Sequence, residues 1–256
     1  MSFLSLLHIE LLKLRRSKIG FILLAAAFFL WLPATFNVQI YFDRTELGIP
    51  PEQNFFIQGF LGLSWFMFPA SMVICTVLLM QLERGERGLF KMLSLPVNAA
   101  KLCLAKFFIL LALAVFMLLF SAAAYCASAA LIGANRQYPF VLPLSYVLSR
   151  AGILLLAALP MLTFFWLLSV CIPSPLFSAG IGLFSIVPAV LAMNTKIWYL
   201  YPMCYPFYIM TAEYGRLADG ISTWQVSPFP LLPVAILFSA ACLTISCLRF
   251  GKSETN

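Results

Sequence analysis

The chain has little of what enzymes and metal proteins use. Its 256 residues include one histidine, His8, and only 10% are charged. Soluble domains carry about 25% charged residues. A single histidine excludes a HExxH zinc pair, and with it a Ser–His pair inside the apolar stretches. The seven cysteines (Cys75, Cys103, Cys126, Cys171, Cys204, Cys242 and Cys247) form no CxxC pair. Most lie in apolar stretches, where cysteine acts as a small buried hydrophobe. "FGKSE", residues 250–254, ends like a phosphate-binding loop, but Ser246 stands where that loop needs its first glycine. No ATP site of that kind is expected, and no cofactor or metal site. Acids that would mark a proton or ion relay are missing from the apolar stretches. Glu213 and Asp219 are the nearest candidates, and both read as lying outside them.

What the chain has in abundance is apolar sequence. Hydrophobic residues make up 63% of it, more surface than a soluble fold of this length can hide. The solvent is therefore lipid, where a span needs about 20 apolar residues. Six spans are predicted, at 19–40, 58–81, 106–133, 148–171, 176–193 and 230–248. The first has too long an apolar stretch for a cleaved signal peptide, and no small-residue cleavage site follows Trp31-Leu32-Pro33. Pro33, Pro69, Pro160 and Pro188 fall inside spans and should kink them. The fold class is an all-α polytopic membrane protein, one domain over residues 1–256.

Basic residues set the expected orientation. With the N-terminus inside, Lys13, Arg15, Arg16, Lys18, Arg84, Arg87, Lys91, Lys101, Lys106, Arg249 and Lys252 are cytoplasmic, and both termini are too. Arg44, Arg136, Arg150, Lys196 and Arg216 fall on the other side or near it. The cytoplasmic excess follows the positive-inside rule. The net charge of +7 is then a matter of topology, and no nucleic-acid partner is expected.

Three non-spanning segments carry signal. In residues 1–18, Phe3, Leu7, Leu11 and Leu14 share one arc of a helix, with Ser2, Ser5, Lys13 and Arg16 opposite. That pattern fits either a helix lying in the interface near anionic lipid or a plain basic flank of the first span. Residues 194–230 are rich in rings, among them Trp198, Tyr201 and Tyr205. "IWYLYPMCYPFYIM" is apolar for about 14 residues, short for a span. Pro202 and Pro206 should break it into halves, giving a re-entrant or interfacial piece that closes an outer gate, or only an aromatic belt. Residues 82–102 sit between two uncharged runs. Glu83 and Glu86 precede Gly88. Leu89 and Leu93 then share a helix face, and Pro96 stops the helix. This is a docking element for a soluble partner or a solvated topology loop.

Glu83, Glu86, Gly88, Leu93, Pro96, Val97 and Lys106 together resemble the cytoplasmic coupling loop of ABC-2 type transporter permeases. Leu89 and Asn98 depart from the threonine and arginine of many relatives. "IELLKLRRS", with Glu10, Lys13 and Arg16, resembles the family's elbow helix. "FLGLSWFMFPAS", "LPVNAAKLCLAKF" and "WYLYPMCYPFY" are similar to permeases of lantibiotic-immunity transporters. The resemblance implies a transport subunit without its own ATPase, set in a bacterial cell membrane. ATP would bind a dimer of partner subunits docked on the coupling loop. A second permease, related or identical, would complete a pathway expelling an amphipathic peptide or another hydrophobic substrate. A secondary transporter and a membrane sensor are the rival classes. The first needs a charged relay, and the second needs no ATPase.

Overall fold

The computed structural model describes residues 3–43, 48–84, 98–218 and 228–250. Every regular element among them is helical. Apolar chain in lipid must satisfy its backbone polar groups internally, which an α-helix does within one segment. In chain order the elements are α1 (Phe3–Arg16), α2 (Ile19–Phe36), α3 (Gln39–Asp43), α4 (Pro51–Gly62), a π-turn (Leu63–Met67), α5 (Phe68–Arg84), α6 (Ala99–Arg136), α7 (Leu144–Cys171), α8 (Pro175–Phe184) and α9 (Ala189–Ala192). Two 3-10 turns follow (Trp198–Leu200 and Pro202–Cys204), then α10 (Tyr205–Leu217) and α11 (Pro228–Phe250). Six of the described helical stretches are long and apolar enough to cross a membrane: Ile19–Phe36, Pro51–Leu82, Ala99–Arg136, Leu144–Cys171, Pro175–Ala192 and Phe229–Phe250. The chain is a multi-pass membrane protein.

All six predicted spans are present, and local chemistry moves their ends. The second begins at Pro51, in the first turn of α4, where a proline loses no helical hydrogen bond. It runs through a π-turn into α5, so Pro69 falls in the first turn of α5. The third begins at Ala99 rather than near 106. Asn98 caps it, its side-chain oxygen accepting from Ala100 N at 2.9 Å. At the other end of α6, Gln137 is left-handed with φ 53° and Tyr138 N donates to Gly133 O at 3.3 Å. A side chain at Gly133 would meet the Tyr138 carbonyl at 3.0 Å, so glycine permits the tight reversal. Pro188 does more than kink the fifth span. Helix α8 stops at Phe184, residues 185–188 form turns, and Pro188 caps the short α9.

Helices α4 to α7 hold most of the buried side chains. Trp31 of α2 enters this core against Phe55 and Tyr125, each with ring centres 5.3 Å away, and Phe56 meets Phe60 at 4.4 Å and Tyr125 at 5.0 Å. The Trp31 indole N–H donates to Ser121 Oγ at 3.0 Å, as a buried indole requires. Gly59 makes room for this ring, because a Cβ there would lie 2.3 Å from it. Gly182 of α8 does the same for Val73 of α5, at 2.8 Å. Small residues give membrane helices their close approach.

Candidate functional site

Polar chemistry gathers at the two ends of the bundle. One end carries α1, the start of α6 and the end of α11. Helix α1 turns Leu6 and Glu10 inward, with Phe3, Leu7 and Leu14 partly covered beside them. The arc predicted from the sequence thus covers most of the packed face, but Leu11 is exposed and Glu10 is buried instead. Glu10 Oε2 accepts from Lys106 Nζ of α6 at 2.6 Å, and its Oε1 accepts from Lys13 Nζ at 2.9 Å. Glu10 and Lys106 are both almost fully buried, at 5% and 2% side-chain exposure. The surface charge expected of Glu10 and Lys106 is a buried salt bridge. The Arg16 side chain lies outside the described residues. Nearby, Cys247 Sγ of α11 reaches the Ala100 carbonyl at 3.9 Å, and Phe250 stacks on Trp166 of α7 at 6.5 Å.

The described flanks of residues 82–102 lie at this end: Leu82–Arg84 finish α5, with Leu82 beside Lys18, and 99–102 open α6. Glu86, Gly88, Leu89, Leu93 and Pro96 lie outside the described residues, as does the Glu83 side chain.

The opposite end holds a second ion cluster. Glu213 of α10 is 7% exposed. Its Oε1 lies 3.0 Å from Arg150 Nη2 and 2.7 Å from Arg216 Nη2, and accepts from the Tyr146 hydroxyl at 3.0 Å. Arg150 also lies over the Tyr146 ring, 5.0 Å from its centre. The cluster ties α10 to the first turns of α7, and Phe56 of α4 packs on Tyr146 at 5.5 Å. Glu213 lies outside the six candidate spans, as expected, but it is not isolated from them. It is the buried partner of a spanning-helix arginine.

Between the fifth and last spans the aromatic segment folds on itself. Trp198 stacks on Tyr208 with centres 3.8 Å apart and meets Tyr205 at 6.1 Å. Pro202 opens a 3-10 turn and Pro206 sits in the first turn of α10. The expected break therefore falls over residues 198–204, and one continuous helix follows it. The three proposed gate residues are brought together, and both tyrosine hydroxyls serve the backbone. Tyr205 donates to the Tyr199 carbonyl, and Tyr201 to the Ser185 carbonyl. The second bond has a clear origin. Where the fifth span breaks, Ala189 N turns to Ile186 O instead of Ser185 O, and the freed carbonyl takes Tyr201. Burial pushes the Tyr201 hydroxyl above its ordinary value, so it stays a protonated donor at neutral pH. Tyr201→Phe orphans that carbonyl and should cost about 1–3 kcal/mol. Melting in detergent measures this, and an unshifted midpoint would mean that another donor serves the break.

Among the described residues no group of three His, Cys, Asp or Glu side chains could hold a metal ion. Comparison with known families finds one match, the family described as ABC-2 family transporter protein, over residues 6–189. The match takes in most of α1, residues 82–102, the first four spans and the fifth as far as residue 189. The chain belongs to the ABC-2 transporter family. As an ABC-2 permease it is a membrane transport subunit, and that membership implies an ATP-binding partner. No individually curated protein and no solved structure matches the permease significantly. The aromatic segment and the last span follow the matched region. The Glu10–Lys106 bridge lies within it, yet the two residues are 96 positions apart. The signal open to sequence reading was Lys106 itself, a cation at the very start of a long apolar run, where burial needs a carboxylate.

Proposed function

We propose that this permease is the spanning subunit of an ATP-driven exporter in a bacterial cell membrane, removing a lantibiotic-type or other amphipathic peptide. Two ATP-binding subunits drive it, and a second permease, related or identical, completes the pathway. Family membership supports the class, and the similarity of residues 60–71, 95–107 and 198–208 to immunity permeases supports the cargo. An amphipathic cationic peptide already concentrates in the bilayer interface, where a transporter can collect it.

The observation that carries the mechanism is the buried Glu10–Lys106 bridge. It fixes α1 to α6, the helix that leaves the coupling segment. Motion delivered to residues 82–102 by a partner therefore enters α6 and α1 together. A secondary transporter is less well supported. Among the described residues, the buried Lys106 and the part-buried Arg150 of the spans each meet a carboxylate from a non-spanning helix near one end of the bundle, not a chain of acids across it.

Two measurements test this reading. Affinity purification in mild detergent should bring down a protein with a phosphate-binding loop. Single cysteines placed at Lys91 and Ser253, in a background without native cysteines, should resist an impermeant reagent in intact cells. Cysteines at Arg136 and Asp219 should react. Labelling of position 91 from outside would invert the topology and remove the coupling role.

A further inference from the structure

Two grooves flank the junction of α1 and α2, and they share Ser17. The larger has a volume of about 430 Å3, within the range of ligand pockets, roughly 300–1,000 Å3. It is walled by Leu11 and Leu14 of α1, Gly20 and Phe21 of α2, and Leu113 and Phe116 of α6. The smaller, about 320 Å3, is lined by Lys18, Ile22 and Leu82 among others. Gly20 leaves the larger groove open, since a Cβ there would meet nothing within 4 Å.

Charge around the junction is one-sided. Residues 3–18 carry Lys13, Arg15, Arg16 and Lys18 against one acid, Glu10. That acid is already engaged by Lys13 and Lys106. Lys18 is exposed and forms no ion pair with any described residue. The Ser17 hydroxyl is turned back onto the Leu14 carbonyl at 2.8 Å, so its oxygen makes no demand on a bound chain. The two apolar slots meet at Ser17, and Lys18, on the wall of the smaller, forms an ion pair with no described residue. At the start of a helix entering the membrane, that juxtaposition matches a hydrocarbon chain joined to an anionic headgroup.

We infer that this junction is a binding site for an anionic phospholipid, with one acyl chain in the groove over Gly20 and the phosphate on Lys18. The lipid covers the α1–α6 seam outside the Glu10–Lys106 bridge. A lysine at a membrane surface favours an anionic lipid by about fivefold, and the groove adds a fixed place for its chain.

Native mass spectrometry of the delipidated full-length protein tests it. Phosphatidylglycerol and phosphatidylcholine with identical chains are added in turn. The wild type should retain one phosphatidylglycerol about fivefold more strongly than phosphatidylcholine. Gly20→Phe places a ring in the groove and should remove that retained adduct for both lipids. Lys18→Gln changes an exposed side chain, should fold normally, and should bring the two lipids level. Equal retention of both lipids by the wild type overturns the site. So does a Lys18→Gln protein that keeps the preference, or a Gly20→Phe protein, melting like the wild type, that keeps the adduct.

Discussion

Glu10→Leu alone will destabilise the protein by about 3–5 kcal/mol, and Glu10→Leu with Lys106→Met will recover most of that loss. The single change removes the carboxylate 2.6 Å from a lysine that is 2% exposed, and a buried ammonium that loses a carboxylate partner is costly. The double change removes both charges and leaves apolar side chains of similar reach in their place, so the desolvation penalty disappears with the attraction. Lys106→Met alone should cost less than Glu10→Leu alone, because Lys13 still holds Glu10 at 2.9 Å. Melting midpoints of the four proteins in one detergent form a double-mutant cycle. Additive effects would show that the two side chains do not interact, and the bridge would lose its place in the mechanism. If the bridge transmits motion, the double variant should fold well yet export poorly. A stable double variant that exports at the wild-type rate would leave the bridge a matter of stability alone.

Leu93→Asp is expected to release the ATP-binding partner while the permease still inserts. In the proposed coupling helix Leu89 and Leu93 are four residues apart and present one apolar face to a groove. Burying one leucine is worth about 1.5–3 kcal/mol, roughly tenfold to over a hundredfold in affinity, and an aspartate there must also be desolvated. Position 93 lies outside every span, so the amount of protein in the membrane should not change. Co-purification of the partner and ATP-dependent peptide efflux are the two readouts. Glu86→Lys should act in the same direction where the partner's groove is basic. Wild-type partner recovery by Leu93→Asp would make residues 82–102 a topology loop.

The spans were legible because lipid leaves the chain few choices. An uncharged run such as Phe107–Asn135 can only be a buried or lipid-facing helix, and the structure places all of it in α6. The ends were less legible because they depend on single capping contacts. Asn98 moves the start of α6 seven residues before Lys106, and nothing in the hydropathy of "NAAKLCLAK" announces a cap. The ion clusters were hidden for a different reason. Lys106 and Arg150 each sit in an apolar stretch and so require a carboxylate, but the sequence does not say which. Their partners, Glu10 and Glu213, come from segments that read as interfacial and surface-exposed. Pro188 signalled trouble in the fifth span, whereas the tyrosine that repairs it stands 16 residues from the carbonyl it serves. The aromatic segment showed its composition and not its shape. Trp198 and Tyr208 are ten positions apart, and only folding brings them face to face.

Burial is unevenly shared among the spans. Those at Pro51–Leu82, Ala99–Arg136 and Leu144–Cys171 bury 61–67% of their most apolar windows inside the chain, and the other three bury 17–22%. The two groups answer to different judges. A change at Phe56 or Tyr125 is tested by neighbouring side chains of this same chain. A change at Phe28, Phe184 or Ile236 meets only whatever surrounds the bundle, and any apolar residue of any shape passes. Random substitution should therefore leave the exposed faces of the outer three spans free to drift in sequence while keeping their hydropathy, and hold the inner three, together with packed positions such as Trp31 and Gly182, nearly still. A saturation library scored only for folded protein would show that contrast. An exposed position on the outer spans that tolerates no exchange in a library scored for export would mark a contact that this chain does not make with itself.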